Sequence, residues 1–252
     1  MSLVKKDGGL AQSSTRLGTK LVGKPSTVEQ RLKEFQARQQ IIDTLPNRLV
    51  LSLDCSGSMA ELTTESRTKF ELLKEAVCEF SRQAELGSST AIAVTTIPYE
   101  TEKDFTTDPY QIESYVMGLD VRGSTPMKGA LLKILNRLSC TRVVLVSDGE
   151  PTDWYEVVYQ ADTQEKKKRA IKGALGGYID LSIPIDCVHI GKDTKGEDLL
   201  KLIAEVTGGI YVKFKDVARL MTGLSYLTPA KRLLLTSGQL NTALLGADEV
   251  KL

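Results

Sequence analysis

From Arg48 onward, short runs that are almost wholly apolar alternate with longer stretches in which apolar residues return every three or four positions. The first pattern is that of strands buried on both faces and the second that of amphipathic helices. The apolar runs predict strands at about 48–54, 90–98, 142–147, 184–190 and 209–214. Between them, Phe70, Leu73, Val77 and Phe80 form one helical stripe, and Leu131, Ile134, Leu135 and Leu138 form another. A third stripe, Leu199, Leu202, Ile203 and Val206, stops at Gly208–Gly209. Strands that alternate with helices predict crossover units around a largely parallel sheet.

The two ends depart from this rhythm. Residues 1–25 mix Gly, Ser, Lys and Thr without periodicity, as expected of a mobile arm. Ser26 and Glu29 then match a capping box, and Val28, Leu32, Phe35 and Ile42 recur at roughly helical spacing until Pro46. The chain is therefore divided into an arm plus helix (1–45), a main domain (46–228) and a tail (229–252). The tail carries Leu233, Leu234, Leu235, Leu240, Leu244 and Leu245, which need a surface to cover them. They are expected to pack on the domain itself, on another copy or on a partner: either they dock on the rear of the domain and leave the acidic tip Asp248–Glu249 free, or that tip reaches a metal site, its own or a neighbouring copy's.

Composition narrows the function classes. The 252 residues are 41% hydrophobic, enough for one main core. Lys and Arg number 33 against 32 Asp and Glu, which supplies no global attraction to nucleic acid or anionic membranes. Glu165–Lys166–Lys167–Lys168–Arg169 lies on a helix expected at about 162–175 and lacks interleaved aromatics, so it is read as a solvated face. Cys55, Cys78, Cys140 and Cys187 show no C-x-x-C spacing and are read as buried, reduced thiols. No run approaches the roughly 18 apolar residues of a membrane span, and a cytoplasmic location is expected.

The candidate chemistry lies at strand ends. Leu49–Leu53 leads into Asp54–Cys55–Ser56–Gly57–Ser58, which delivers one carboxylate and two hydroxyls to a single loop, with Gly57 expected to permit the tight turn. Gly123–Ser124–Thr125–Pro126 and Val143–Val146 followed by Ser147–Asp148–Gly149 add a hydroxyl and a second carboxylate. Oxygen-only ligands suit Mg²⁺, Mn²⁺ or Ca²⁺, whereas the soft sulfur of Cys55 does not.

The ordered set Asp54, Ser56, Ser58, Thr125 and Asp148 resembles the metal-ion-dependent adhesion site of the von Willebrand factor A family. The resemblance covers about residues 46–228. The run Asp148–Trp154 is most similar to small intracellular bacterial members of the TerY kind. The resemblance implies a doubly wound, Rossmann-like α/β fold, including an edge strand near Asp104–Thr106. It implies a non-catalytic adaptor that binds a protein through a divalent cation completed by a partner's Asp or Glu. An AAA+ or chaperone-like machine is one such partner, with no nucleic acid or membrane involved. Glu150 and Asp153 are candidate partner-reading groups, although Asp153 also suits the cap of a helix after Trp154. Arg122 is either a third partner contact or a surface charge.

Catalysis has weaker support. Asp54 suits an aspartyl-phosphate nucleophile, but Ser56 stands where such phosphatases need a second acid. The lone histidine, His189, lies in an apolar strand, and no G-x-x-x-x-G-K-[ST] loop is present. A subunit with a purely structural metal is the remaining alternative.

Overall fold

A computed structural model describes residues 28–63, 66–84, 86–149, 151–191, 194–214, 220, 224, 227–237 and 247–252. The chain divides into two units, Met1–Arg38 and Gln39–Leu252. The described part of the first is the beginning of helix α1 (Val28–Thr44). Ser26 and the expected arm lie outside the described residues.

In the second unit the chain runs through β1 (Asn47–Asp54), α2 (Lys69–Gln83), β2 (Thr90–Ile97), β3 (Glu102–Thr106), α3 (Pro109–Met117), α4 (Met127–Arg137) and β4 (Arg142–Ser147). It continues through α5 (Gln164–Ala174), α6 (Gly176–Asp180), β5 (Ile185–Ile190), α7 (Thr194–Thr207), β6 (Tyr211–Phe214), α8 (Pro229–Thr236) and β7 (Glu249–Lys251). The strands form one sheet in the order β3-β2-β1-β4-β5-β6-β7. The inner five are parallel, whereas β3 and β7 pair antiparallel at the edges. The expected doubly wound, mostly parallel α/β fold is thus observed, and β7 is a strand that the hydrophobic pattern does not mark.

Alternation along β1 sorts the core into two layers. Leu49, Leu51 and Leu53 pack with Phe70, Leu73, Val77 and Phe80 of α2 and with Ile112 and Val116 of α3. On the opposite face, Val50 shares a layer with Leu131 and Ile134 of α4, Ile171 of α5, and Leu199 and Ile203 of α7. Because β1 neighbours β2 on one side and β4 on the other, the loops after β1 and β4 diverge at a topological switch point. Asp54 ends β1 and Asp148 follows β4, so both stand at that crevice.

The C-terminal end joins the sheet. β7 extends the sheet, and Glu249 pairs with Lys201 of α7 at 2.8 Å, so the acidic tip is not free. Three inter-strand steps of about 4.8 Å separate β7 from β4, too far for Glu249 to ligate an ion beside Asp148. Leu233 is exposed rather than docked, and Leu240, Leu244 and Leu245 lie outside the described residues. The basic run on α5 is solvated as expected, with Lys166 paired to Asp162 and Lys168 to Glu205.

Glu197 of α7 ties this sheet edge together by accepting hydrogen bonds from Lys201 and from Lys213 of β6. Burial acts to raise its pKa, but those two bonds outweigh it and hold the carboxyl at about 2, against an ordinary 4.5. A depressed acid stabilises the fold above its unfolded pKa, and that stability is lost as pH falls from about 4.5 towards 2. Acidification through this window is expected to cost about 1 kcal/mol, allowing for solvent screening. Protection factors of the β7 amides, corrected for intrinsic exchange, should fall there in the wild type and stay flat in Glu197→Gln. Equal pH profiles for the two proteins would remove Glu197 from the account.

Candidate metal centre

Asp54 closes β1 with its side chain fully buried. Its Oδ1 accepts a 2.8 Å hydrogen bond from the Ser56 N–H, and its Oδ2 accepts one of 2.6 Å from the Ser147 hydroxyl. The chain then makes a short 3₁₀ turn, Gly57–Ala60, that aims the two serines at each other. Ser56 Oγ and Ser58 Oγ are 3.0 Å apart, and Ser58 Oγ donates to Asp148 Oδ1 at 2.7 Å. Four of the five expected ligands therefore form one hydrogen-bonded cluster.

The loop holding Thr125 is fixed to that cluster by backbone bonds. Cys55 C=O accepts from the Arg122 N–H at 2.5 Å, and the Gly57 N–H donates to Gly123 C=O at 3.3 Å. Thr125 is buried, and its carbonyl accepts from the Thr152 N–H at 2.9 Å, joining it to the chain just past Asp148. The turn itself differs from expectation, since the residue with left-handed backbone is Gly123, at φ 74°, and not Gly57. A Cβ at Gly123 would meet Pro98 Cγ at 3.4 Å, an ordinary contact, so it is the backbone conformation that favours glycine there.

Burial raises the Asp54 pKa to about 6, with the Ser147 and Ser56 bonds opposing it and Asp148 adding to it. Cys55 faces inward as expected, and burial, followed by the charge of Asp54, pushes its thiol up to about 12. His189 is a core residue as expected, buried with Nδ1 3.2 Å from the Tyr211 hydroxyl.

The partner-reading candidates separate. Asp153 accepts from the Lys128 and Gly129 N–H groups at 3.0 and 2.7 Å and so caps α4. Asp153 is thus a helix cap, one of its two expected roles, but of α4 rather than of a helix after Trp154. Arg122 is half exposed and lies 3.3 Å from Glu100. Glu150 lies outside the described residues.

Two residues that the sequence reading missed belong to the cluster. Ser147, beside Asp148 in sequence, orients Asp54. Lys69 is less obvious: its ammonium lies 2.7 Å from Asp148 Oδ2 and 2.7 Å from Glu61 Oε2. A usable signal was the capping box Thr68–Glu71, which starts α2 and puts Lys69 at its first position.

Among the described residues, no three His, Cys, Asp or Glu side chains converge as a metal site, so any ion here must use hydroxyls. Two buried carboxylates beside three buried or part-buried hydroxyls form a donor set that fits a hard cation. Asp54, Ser56, Ser58, Thr125 and Asp148 would hold it.

Residues 49–150, which include all five candidate ligands, match the von Willebrand factor type A domain. No curated protein matches the chain. The structure is similar to a von Willebrand factor type A protein from Catenulispora acidiphila, at 25% identity and TM-score 0.54, over 73% of this chain and 42% of that one. The chain thus spans less than half of that protein's length. It is also similar to the SpRpn10 VWA domain, at 17% identity and TM-score 0.50, over 70% of this chain and 94% of that domain. The PilB minor pilin from Streptococcus sanguinis aligns at 17% identity and TM-score 0.52, over 76% of this chain and 63% of the pilin. The fold is the Rossmann-like α/β fold of von Willebrand factor A domains.

Proposed function

We propose that the chain is a non-catalytic protein-binding module whose contact with its partner depends on a divalent cation. The observation that carries this reading is the convergence of Asp54, Ser56, Ser58 and Asp148 at the switch point, with Thr125 bound to the same loops. Mg²⁺ or Mn²⁺ held largely by neutral hydroxyls keeps an outward coordination position for an added anion. An Asp or Glu presented by the partner protein supplies that anion, as a subunit of an AAA+ or chaperone-like machine would. Arg122, half exposed beside Glu100 on the adjoining loop, meets a second acidic group of that partner in this reading. Among the described residues no helix is long and apolar enough to cross a membrane.

The phosphatase alternative has less support, because Ser56 stands where such enzymes need a second acid.

Selection from a random peptide library on the immobilised protein tests the proposal. In Mg²⁺ the selected peptides should be enriched in Asp or Glu, and EDTA or Thr125→Ala should weaken their binding at least tenfold. Binding that survives EDTA unchanged overturns the cation dependence. Asp54-dependent hydrolysis of a phosphomonoester in Mg²⁺ overturns the non-catalytic part.

A further inference from the structure

Within the oxygen cluster there is already one positive charge. Lys69 reaches Asp148 from the first turn of α2, 79 positions away in sequence, and its side chain is 17% exposed where that of Asp148 is 1% exposed. The ammonium bridges two carboxylates of unlike setting: Asp148 within the cluster, and Glu61, 66% exposed, on the solvent side. Burial works against the lysine's charge, but the hydrogen bonds to Asp148 and Glu61 outweigh it and hold the pKa above its ordinary value. The side chain is therefore a firm cation and a strong, charge-assisted donor to Asp148.

We infer that the Lys69 ammonium is a built-in competitor of the divalent cation for Asp148, and that filling the metal centre swings this side chain onto Glu61. The inference rests on the cation-dependent reading above and adds a residue that sets the affinity. Asp148 Oδ1 accepts from Ser58 and its Oδ2 from Lys69, so an ion that recruits this carboxylate shares it with a hydroxyl and an ammonium. The hydroxyl is uncharged and is itself a ligand of the ion, whereas the ammonium repels it across the same carboxylate. Moving the ammonium onto Glu61, which already accepts from it, relieves that repulsion. The backbone has no need to follow. The Lys69 N–H donates to Glu61 C=O at 3.1 Å, and the Thr68–Glu71 capping box pins the helix start.

Lysine at this position lowers affinity for the ion and keeps Asp148 neutralised when the ion leaves. The centre then fills more readily when a partner carboxylate adds its charge to the site, which makes partner binding steeper in Mg²⁺.

Calorimetric titration of the full chain with Mg²⁺ and Mn²⁺ tests this in four proteins. Lys69→Met retains the aliphatic stem and should bind at least tenfold more tightly than wild type. Glu61→Gln, which removes the negative charge of the alternative acceptor, should bind about threefold more weakly, and Asp148→Asn should not bind. Unmutated protein gives an independent readout, since the Lys69 ammonium resonance should shift on saturation with Mg²⁺. If Lys69→Met binds no more tightly than wild type while Asp148→Asn fails to bind, the competition is wrong and the metal centre stands. Should wild type and Lys69→Met both fail to bind either ion, both readings fall. Tight binding by Lys69→Met alone would make the lysine an outright block, which supports the competition in its strongest form.

Discussion

Asp186→Ala is expected to cost the folded state about 3–5 kcal/mol, the range for removing one partner from a buried ion pair. Asp186 lies on β5 with its side chain fully buried. Its Oδ2 accepts from Arg142 Nε at 2.7 Å and from Arg232 Nε at 2.9 Å, while its Oδ1 accepts from the Ile210 N–H at 2.8 Å. Arg142 also donates to Leu227 C=O at 2.5 Å, which fixes the segment leading into α8. Burial pushes the Arg142 pKa down, with Asp186 opposing it, so loss of the carboxylate leaves a desolvated guanidinium without its counter-charge. Arg232→Met removes one donor and keeps the central pair, and should cost about 1–2 kcal/mol. Urea denaturation of both variants measures these costs, and a loss under 1 kcal/mol for Asp186→Ala would refute the account. Affinity for Mg²⁺ should not change, because Asp186 pairs in register with Val144, well before the Ser147–Asp148 end of β4.

The sequence reveals the parts of this fold whose burial is local and repetitive. β4 is buried at all six positions, and its run Val143–Val146 is plain in the chain. β3 is an edge strand with one buried residue in five, so its pattern is faint, and β7 has three residues, of which Val250 alone is apolar. β7 exists because β6 offers it an edge to pair with, which is information held elsewhere in the chain. The metal centre divides in the same way. Asp54, Ser56 and Ser58 are read from five consecutive residues, and Asp148 from its place after an apolar run. Asp153 caps a helix that begins 26 positions earlier, and Lys69 meets a carboxylate that follows three further strands. Side chains that act across the fold leave no spacing to read. The same cause explains why Gly57 looked like the turn glycine while the left-handed position is Gly123, in the loop packed against it.

Asp54→Asn is expected to move two quantities in opposite directions. In EDTA, the wild-type fold carries a buried carboxylate whose pKa burial raises to about 6, against an ordinary 3.8. The folded state then binds a proton more readily than the unfolded chain, so stability is greatest below about pH 4 and falls as pH rises to about 6. Two pKa units correspond to roughly 2–3 kcal/mol by that relation. Asparagine keeps the shape and drops the charge: its carbonyl accepts from the Ser56 N–H, and its amide meets the Ser147 hydroxyl. Urea denaturation of Asp54→Asn in EDTA should therefore show greater stability than wild type at pH 7 and no slope between pH 4 and 6. Calorimetry should show Mg²⁺ affinity reduced at least a hundredfold, since one of the two anionic ligands is gone. A variant that binds Mg²⁺ like wild type would take Asp54 out of the centre. One that loses stability in EDTA would mean that its hydrogen bonds outweigh the cost of burying its charge. The expected pair of results would show a carboxylate kept at a cost to the fold, for the cation it recruits.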